Sequence, residues 1–365
     1  MSHLCGGHGG NIYRLAEEIG VREDRVIDFS ASINPLGVSE RVKVVIKKGL
    51  GSIHNYPDPD TKRLCEVIAQ HHNIAPETII CGNGSTELIY LTVRAIKPKT
   101  VLIPQPTFSE YERACKTAGY KLQVTSYKLK REDDFQINPD EFVSSLITNH
   151  SSQPFDMVFL CNPNNPTGNL LEKAEVLKIA DAAKKLKCYL IVDEAFIDFC
   201  PEDSVITEVK HNPYLIVLRS MTKFYCLAGL RIGYGVFPLS LIERLKGFKE
   251  PWTVNTIAQM SAIAALMDRE YVRRTSVLME TEKRFLEDGF KRLGIEFFPS
   301  SANFYLLRLN RVKRLIHYLK RHGILVRDCS NFRGLDSSYI RVAVKNRKDN
   351  MLLLKGLVKF KKERR

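Results

Sequence analysis

A lysine that closes an apolar run beside two hydroxyls, with an arginine eight residues further on, is the chemical centre of this sequence. The run is Tyr214-Leu215-Ile216-Val217-Leu218-Arg219, the hydroxyl segment is Ser220-Met221-Thr222-Lys223, and Arg231 stands within Gly229-Leu230-Arg231-Ile232-Gly233. An amine at a strand end can condense with an aldehyde, while Ser220 and Arg231 are residue types that hold a phosphate. The stretch therefore reads as a Schiff-base lysine next to a phosphate cup, serving an aldehyde cofactor that carries a phosphate. Taken alone it is equally compatible with a solvated loop lysine, and other segments decide between the two.

Gly82-Asn83-Gly84-Ser85-Thr86-Glu87 follows the apolar run Thr78-Ile79-Ile80-Cys81 and opens a helical pattern to about residue 96. A glycine turn at a helix start presents free backbone N–H groups and the positive end of the helix dipole, which suits a phosphate. Neither the dinucleotide-binding nor the Walker glycine spacing is met. Asp193 ends Tyr189-Leu190-Ile191-Val192 and could pair with a protonated pyridine nitrogen, keeping such a ring able to accept electrons. In Asn162-Pro163-Asn164-Asn165-Pro166-Thr167-Gly168 an asparagine amide could donate to a ring oxygen, and Phe108 could stack on a ring face. Bland readings exist for each: a capping aspartate, a rigid turn, a core aromatic.

These residues need a scaffold that gathers strand ends. From residue 76 apolar strands alternate with amphipathic helices: 100–104 with 107–118, 121–127 with 138–148, 157–161 with 171–186, then 188–193. Such alternation predicts an α/β fold with a mostly parallel sheet covered on both faces, whose active groups gather at the carboxyl ends of the strands. Helical patterns cover 39–49 and 60–72, with Asn55-Tyr56-Pro57-Asp58-Pro59-Asp60 as a loop between them. After Trp252 the pattern is helical to about 293. Strands at 303–309, 324–328 and 339–344 then interleave with helices near 311–321 and 347–359. The expected organisation is an irregular N-terminal arm (1–35), a large domain (36–255) and a smaller α+β domain (256–365).

At 365 residues, 44% hydrophobic, the chain can bury a large core. No apolar run approaches the roughly 20 residues that span a bilayer, and the N-terminus shows no positive leader ahead of an apolar block, so a cytoplasmic protein is expected. The nine cysteines are scattered singly, which indicates neither a metal site nor a disulfide framework. The net charge of +14 lies mostly along helical faces and in the tail Lys359-Phe360-Lys361-Lys362-Glu363-Arg364-Arg365. Without an aromatic-interleaved basic motif it reads as a solvated surface that favours anionic substrates, with no nucleic-acid or membrane partner.

Asn-Asn-Pro-Thr-Gly, Asp-Glu-Ala-Phe, Ser-x-Thr-Lys and Gly-Leu-Arg-Ile-Gly, in this order and spacing, make the whole chain resemble the fold-type I, aspartate-aminotransferase-like pyridoxal-phosphate enzymes. The resemblance implies a large domain with a seven-stranded sheet. It implies Lys223 as the Schiff-base lysine, Asp193 on the pyridine nitrogen, Asn165 on the ring oxygen and Phe108 on the ring face. Gly84, Ser85, Thr86, Ser220, Thr222 and Arg231 would form the phosphate cup. It further implies a homodimer in which Tyr56 reaches the neighbouring site. Phe196 is a departure: many relatives carry a tyrosine there, whose hydroxyl also contacts the ring oxygen.

Arg341, in Tyr339-Ile340-Arg341-Val342-Ala343-Val344, matches the family's carboxylate-binding arginine. Arg327, fourteen residues earlier, would suit an anionic side chain such as a phosphate monoester, which a guanidinium binds with two prongs. His8-Gly9-Gly10-Asn11, Asp28-Phe29-Ser30-Ala31-Ser32-Ile33-Asn34-Pro35-Leu36-Gly37 and Asn331-Phe332-Arg333-Gly334-Leu335-Asp336 are similar to segments of the threonine-phosphate decarboxylases of cobalamin synthesis. That similarity implies a phosphorylated amino-acid substrate, bound by His8, Gly9, Asn34, Asn165 and Arg327, with Arg341 on its carboxylate. The implied reaction turns O-phospho-L-threonine into (R)-1-amino-2-propyl phosphate and carbon dioxide. Histidinol-phosphate aminotransferases share the fold, the tyrosine loop and both arginines, and are the nearest alternative. A non-catalytic regulator with this fold would carry a DNA-binding domain, which the sequence does not suggest.

Overall fold

The structure, a computed structural model, describes residues 9–152 and 154–362. The arm is less irregular than its glycines suggest. Asn11 caps a helix over Ile12–Ile19 by accepting from Arg14 N, and β1 (Ile27–Asp28) follows.

Seven strands form the main sheet: β2 (Ile79–Gly82), β3 (Thr100–Gln105), β4 (Gln123–Lys128), β5 (Met157–Cys161), β6 (Tyr189–Asp193), β7 (Leu215–Ser220) and β8 (Gly233–Val236). Their spatial order is β2-β8-β7-β6-β5-β3-β4, and only β8 runs against the rest. The two faces are buried in separate apolar clusters. Leu102, Val158, Leu160, Leu190 and Val192 face one, and Val101, Ile103, Phe159, Ile191 and Ile216 the other. Because successive strand residues point to opposite faces, apolar types at every position commit a strand to helices on both sides. Each such burial contributes about 1.5–3 kcal/mol. The antiparallel β8 has no counterpart in the sequence reading, because glycine fills alternate positions of Gly233-Tyr234-Gly235-Val236. Those glycines are imposed by close packing: a Cβ on Gly235 would lie 2.5 Å from the Phe237 ring.

The smaller sheet contains β9 (Glu296–Phe297), β10 (Phe304–Arg308), β12 (Arg327–Asp328) and β13 (Tyr339–Ala343), in the order β12-β13-β10-β9. Between β10 and β12, β11 (Ile324–Leu325) pairs in parallel with β1 of the arm, and Phe29 sits in the small-sheet core. The helical stretch after Trp252 is two helices, Thr256–Leu266 and Arg269–Arg292. Asp268 breaks the pattern and caps the second by accepting from Tyr271 N. Ala258, Ala262 and Leu266 of the first pack into the main-sheet core, and Leu286 and Phe290 of the second into the small-sheet core.

Winding order reverses at β3 and β5. The chain steps outward from β3 to β4, then returns past β3 to β5 and continues to β6 and β7. In an open α/β sheet the loops at such a reversal diverge and leave a crevice at the carboxyl ends of the strands.

Candidate active site

That crevice is a cavity of about 460 Å³, lined from the main sheet by Ser85, Thr86, Phe108, Tyr111, Asn165, Asp193, Ser220, Thr222, Lys223 and Arg231. Gly9, Ser30 and Ala31 of the arm line it too, as do Arg327, Phe332 and Arg341 beside β12 and β13.

One end is an anion cradle. The helix Ser85–Ile96 starts behind Gly84 with no side chain capping its first turn, so its leading N–H groups and dipole face the cavity. Gly84 adopts φ +75°, and a Cβ there would lie 2.5 Å from Arg231 Nη2. A Cβ on Gly233 would meet Ser85 N at 2.5 Å. Only glycine lets the helix start, the arginine and β8 converge so closely. Ser220 Oγ and Thr222 Oγ1 lie 2.8 Å apart beside them.

Lys223 and Asp193 hold the middle. Lys223 is partly open to the cavity, yet burial of its ammonium, reinforced by Arg341 and Arg231, brings its pKa down to about 8. Asp193 is buried, which pushes its carboxyl up to about 6 against the hydrogen bonds it accepts from Tyr111 Oη (2.8 Å) and Ala195 N (3.1 Å). The ends of β6 and β7 that carry these residues are pinned behind the cavity. Arg219 Nη1 donates to Glu194 Oε2 at 2.9 Å, Arg219 Nη2 to Asp198, and Glu194 also accepts from Ser204 Oγ and Val205 N. A buried charge cluster of this kind holds because each charge has an opposite partner, although Arg219 Nε is left without a hydrogen bond.

Asn165 projects from a loop whose shape is fixed by the other two asparagines. Asn162 exchanges two hydrogen bonds with the backbone of Leu171, and Asn164 bridges Pro106 O, Thr107 Oγ1 and Thr167 Oγ1. The Asn164–Thr107 contact also fixes the loop that carries the half-buried Phe108.

Arg327 and Arg341 form the opposite wall, both buried. Arg341 donates through Nη1 to Asn165 Oδ1 and through Nη2 to Ser30 O (2.9 Å). It lies over the Phe304 ring at 4.9 Å, and its buried Nε has no hydrogen-bond partner. Burial, with Arg327 adding repulsion, brings its pKa down to about 10. Arg327 lies over Phe332 at 5.0 Å and donates to Asp328 O and to Asn331 Oδ1 (2.8 Å). Phe304 also meets Phe196 edge-on at 5.0 Å, so the departure at Phe196 supports the aromatic face beneath Arg341.

One expected residue, Asn34, is placed elsewhere, and His8 lies outside the described residues. Asn34 does not line the cavity: its Nδ2 donates to Phe224 O and Thr275 Oγ1, its Oδ1 accepts from Leu36 N, and its own N–H donates to Lys223 O. It clasps the Lys223 loop from behind, with all its side-chain groups engaged. Tyr56, expected at a neighbouring subunit's site, is 82% exposed and 5.1 Å from the Trp252 ring. Tyr111, Ser30, Cys161 and Phe332 line the cavity without having been expected there. Cys161 ends an apolar run and reads as core, and Tyr111, flanked by Glu110 and Glu112, carries no sequence signal for the site. Ser30 and Phe332 lie in segments that resemble those of known enzymes, but no spacing marks them individually.

The donor set fits pyridoxal phosphate: a cradle closed by two obligatory glycines for the phosphate, a buried carboxylate for a ring nitrogen, and an amine with lowered pKa between them. Among the described residues no cluster could hold a metal ion, and no helix is long and apolar enough to cross a membrane.

Known proteins agree with this geometry. The profile of the family "Aminotransferase class I and II" matches residues 24–357. A threonine-phosphate decarboxylase of Salmonella typhimurium is 39% identical over 361 residues, 98% of this chain and 97% of its own. The crystal structure of L-threonine-O-3-phosphate decarboxylase from Porphyromonas gingivalis is similar at 29% identity and a TM-score of 0.79, covering 92% of this chain and 99% of that one. That of the histidinol-phosphate aminotransferase from Clostridium acetobutylicum is similar at 31% identity and a TM-score of 0.84, with the same coverage. The chain is thus an α/β protein of fold-type I architecture, and it belongs to the class I and II aminotransferase family.

Proposed function

We propose that this chain is a pyridoxal-phosphate-dependent lyase that decarboxylates O-phospho-L-threonine to (R)-1-amino-2-propyl phosphate and carbon dioxide. The observation that carries this reading is the pair of buried guanidiniums, Arg327 and Arg341, on the wall of the cavity that holds Lys223. A substrate with two anionic groups, a carboxylate and a phosphate monoester, matches two such donors. The identity to the Salmonella decarboxylase, spread over nearly the full length of both chains, supports it. The product is the amino-alcohol that resemblance assigns to the nucleotide loop of cobalamin.

When bound, pyridoxal phosphate supplies an electron sink for the pair released from Cα as the carboxylate leaves. Ser85, Thr86, Ser220, Thr222 and Arg231, with the Gly84 turn, would hold its phosphate. Asp193 would face its ring nitrogen, Asn165 its ring oxygen and Phe108 its face. Arg341 orients the substrate carboxylate, and the aromatic face of Phe304 keeps its guanidinium aimed into the cavity. Arg327 orients the phosphate. With two anionic groups fixed, the third substituent direction at Cα is no longer free, which is how binding geometry selects the bond that breaks. Lys223, with its pKa down near 8, holds a proton at neutral pH and gives it up readily. Delivered to Cα, that proton takes the place of the lost carboxylate. One proton in and one carbon dioxide out leave the phosphate untouched.

A second reading, histidinol-phosphate aminotransfer, is favoured by the likeness to the Clostridium structure. Two substrates separate the readings: O-phospho-L-threonine labelled with carbon-13 in the carboxylate, and histidinol phosphate, which has no carboxylate, with 2-oxoglutarate as amino acceptor. Labelled carbon dioxide and 1-amino-2-propyl phosphate formed in equal amounts support decarboxylation, and glutamate from histidinol phosphate without labelled carbon dioxide from phosphothreonine contradicts it. The same reading includes a homodimer in which Tyr56 completes the partner's phosphate cradle. Its 82% exposure beside the half-exposed Trp252 supports a second copy covering this surface.

A further inference from the structure

One buried polar contact at the cavity belongs to a residue with no assigned part in the reaction. Tyr111 follows Phe108 by three positions, on the helix Glu110–Lys116, and its ring is completely buried. It stacks face to face on Phe159 of β5, with centroids 4.8 Å apart and planes within 8°, while Phe108 meets it edge-on at 5.6 Å. The ring is thereby fixed, and its hydroxyl ends 2.8 Å from Asp193 Oδ2.

We propose that Tyr111 is a positioning residue for Asp193, whose hydroxyl keeps that carboxylate both oriented and ionised where it faces the cofactor's ring nitrogen. This rests on the cofactor assignment made above. A carboxylate oriented by one donor on each oxygen has a defined plane, and here the donors are Tyr111 Oη and Ala195 N. The remaining lone pairs are left for the cavity. Burial works against the ionised form of Asp193, the Glu194 carboxylate adds to that, and the Tyr111 and Ala195 donors and the Lys223 ammonium oppose it. Cys161 also faces this pair, and burial pushes its thiol up to about 12, so it stays neutral. Burial and the facing Asp193 likewise push the Tyr111 phenol well up, so it remains a donor across the working pH range. Tyr111 thus bears on the protonation of the ring nitrogen through Asp193.

The test is Tyr111→Phe in holoenzyme reconstituted with pyridoxal phosphate, since phenylalanine keeps the ring stack and removes only the hydroxyl. Two readouts besides activity are the pH titration of the bound cofactor's absorption and its dissociation constant. Without the phenol donor Asp193 ionises only at higher pH. The acid limb of the titration and of kcat/KM should therefore move to higher pH, and cofactor Kd near pH 6 should rise roughly tenfold, the usual size for a hydrogen bond to a charged group. If Tyr111→Phe does not fold, 3-fluorotyrosine at position 111 strengthens the donor, and the acid limb should move the opposite way. Curves that superimpose on wild type, while Asp193→Asn still weakens the cofactor, overturn this inference alone. Wild-type protein that takes up no pyridoxal phosphate overturns the cofactor assignment and this inference with it.

Discussion

Arg327 and Arg341 are directly opposite partners in the antiparallel pair β12 and β13, and both guanidiniums reach the cavity that contains Lys223. Two cations on adjacent strands in a buried wall repel one another, and burial brings the pKa of each down. A ligand with two anionic groups relieves that repulsion. In the proposed reaction this wall matches the carboxylate and the phosphate of the substrate.

Arg327→Lys tests the phosphate half of this pattern. The lysine keeps a charge but loses the planar, two-pronged donor over Phe332, and kcat/KM for O-phospho-L-threonine should fall roughly 10- to 100-fold. Turnover of unphosphorylated L-threonine, followed in the same assay, should change little. Equal losses on both substrates would assign Arg327 a purely structural role.

Lys223→Ala should abolish turnover and covalent capture of the cofactor on borohydride reduction; normal decarboxylation by that variant would remove the lysine from the chemistry. Lys223→Met adds a pH signature in cofactor-free protein. The folded-state pKa of Lys223 is about 8, below the value of 10.5 usual for an exposed lysine, so the folded chain binds this proton less tightly than the unfolded chain. The contribution of Lys223 to stability is therefore most unfavourable below pH 8 and improves as pH rises towards 10.5. Replacing it with methionine should stabilise the protein at pH 7 by up to about 3 kcal/mol, less where cavity water screens the charge. The gain should shrink between pH 8 and 10.5 in denaturant titrations. A gain constant across that range would contradict the burial of the ammonium.

Asn34→Ala should destabilise the fold by about 1–3 kcal/mol, because Phe224 O and Thr275 Oγ1 lose a buried partner. With the Lys223 loop loosened, kcat should fall more than KM for the phosphorylated substrate rises. A rise in KM alone, with unchanged stability, would return Asn34 to substrate recognition.

The chemical core of the site could be read from the sequence because it sits at strand ends. Lys223, Asp193 and Asn165 each follow an apolar run, and a parallel sheet must bring such ends together. Arg341 could be read for a related reason, being one polar residue in an otherwise apolar strand. Tyr111 and Cys161 were hidden because their polar atoms act from within the core, where residue type alone signals packing. Asn34 was misplaced because its motif marks a turn near the site, while its actual partners, Phe224 and Thr275, lie 190 and 241 residues away in sequence. Strand β8 was hidden by glycines that spatial neighbours require.

Gly84→Ala probes the phosphate cradle. The new Cβ would lie 2.5 Å from Arg231 Nη2, at a φ of +75° that strains any residue with a side chain. Cofactor Kd, measured by fluorescence quenching, should rise about tenfold or more. An unchanged Kd would mean that the cofactor phosphate binds elsewhere.

The most direct measurement gives one preparation, saturated with pyridoxal phosphate, two separate reactions: O-phospho-L-threonine alone, and histidinol phosphate with 2-oxoglutarate. Carbon dioxide and glutamate are quantified in both. The expected result is carbon dioxide with 1-amino-2-propyl phosphate in the first and no glutamate in the second. Glutamate in the second and no carbon dioxide in the first would contradict the decarboxylase and make this chain an aminotransferase.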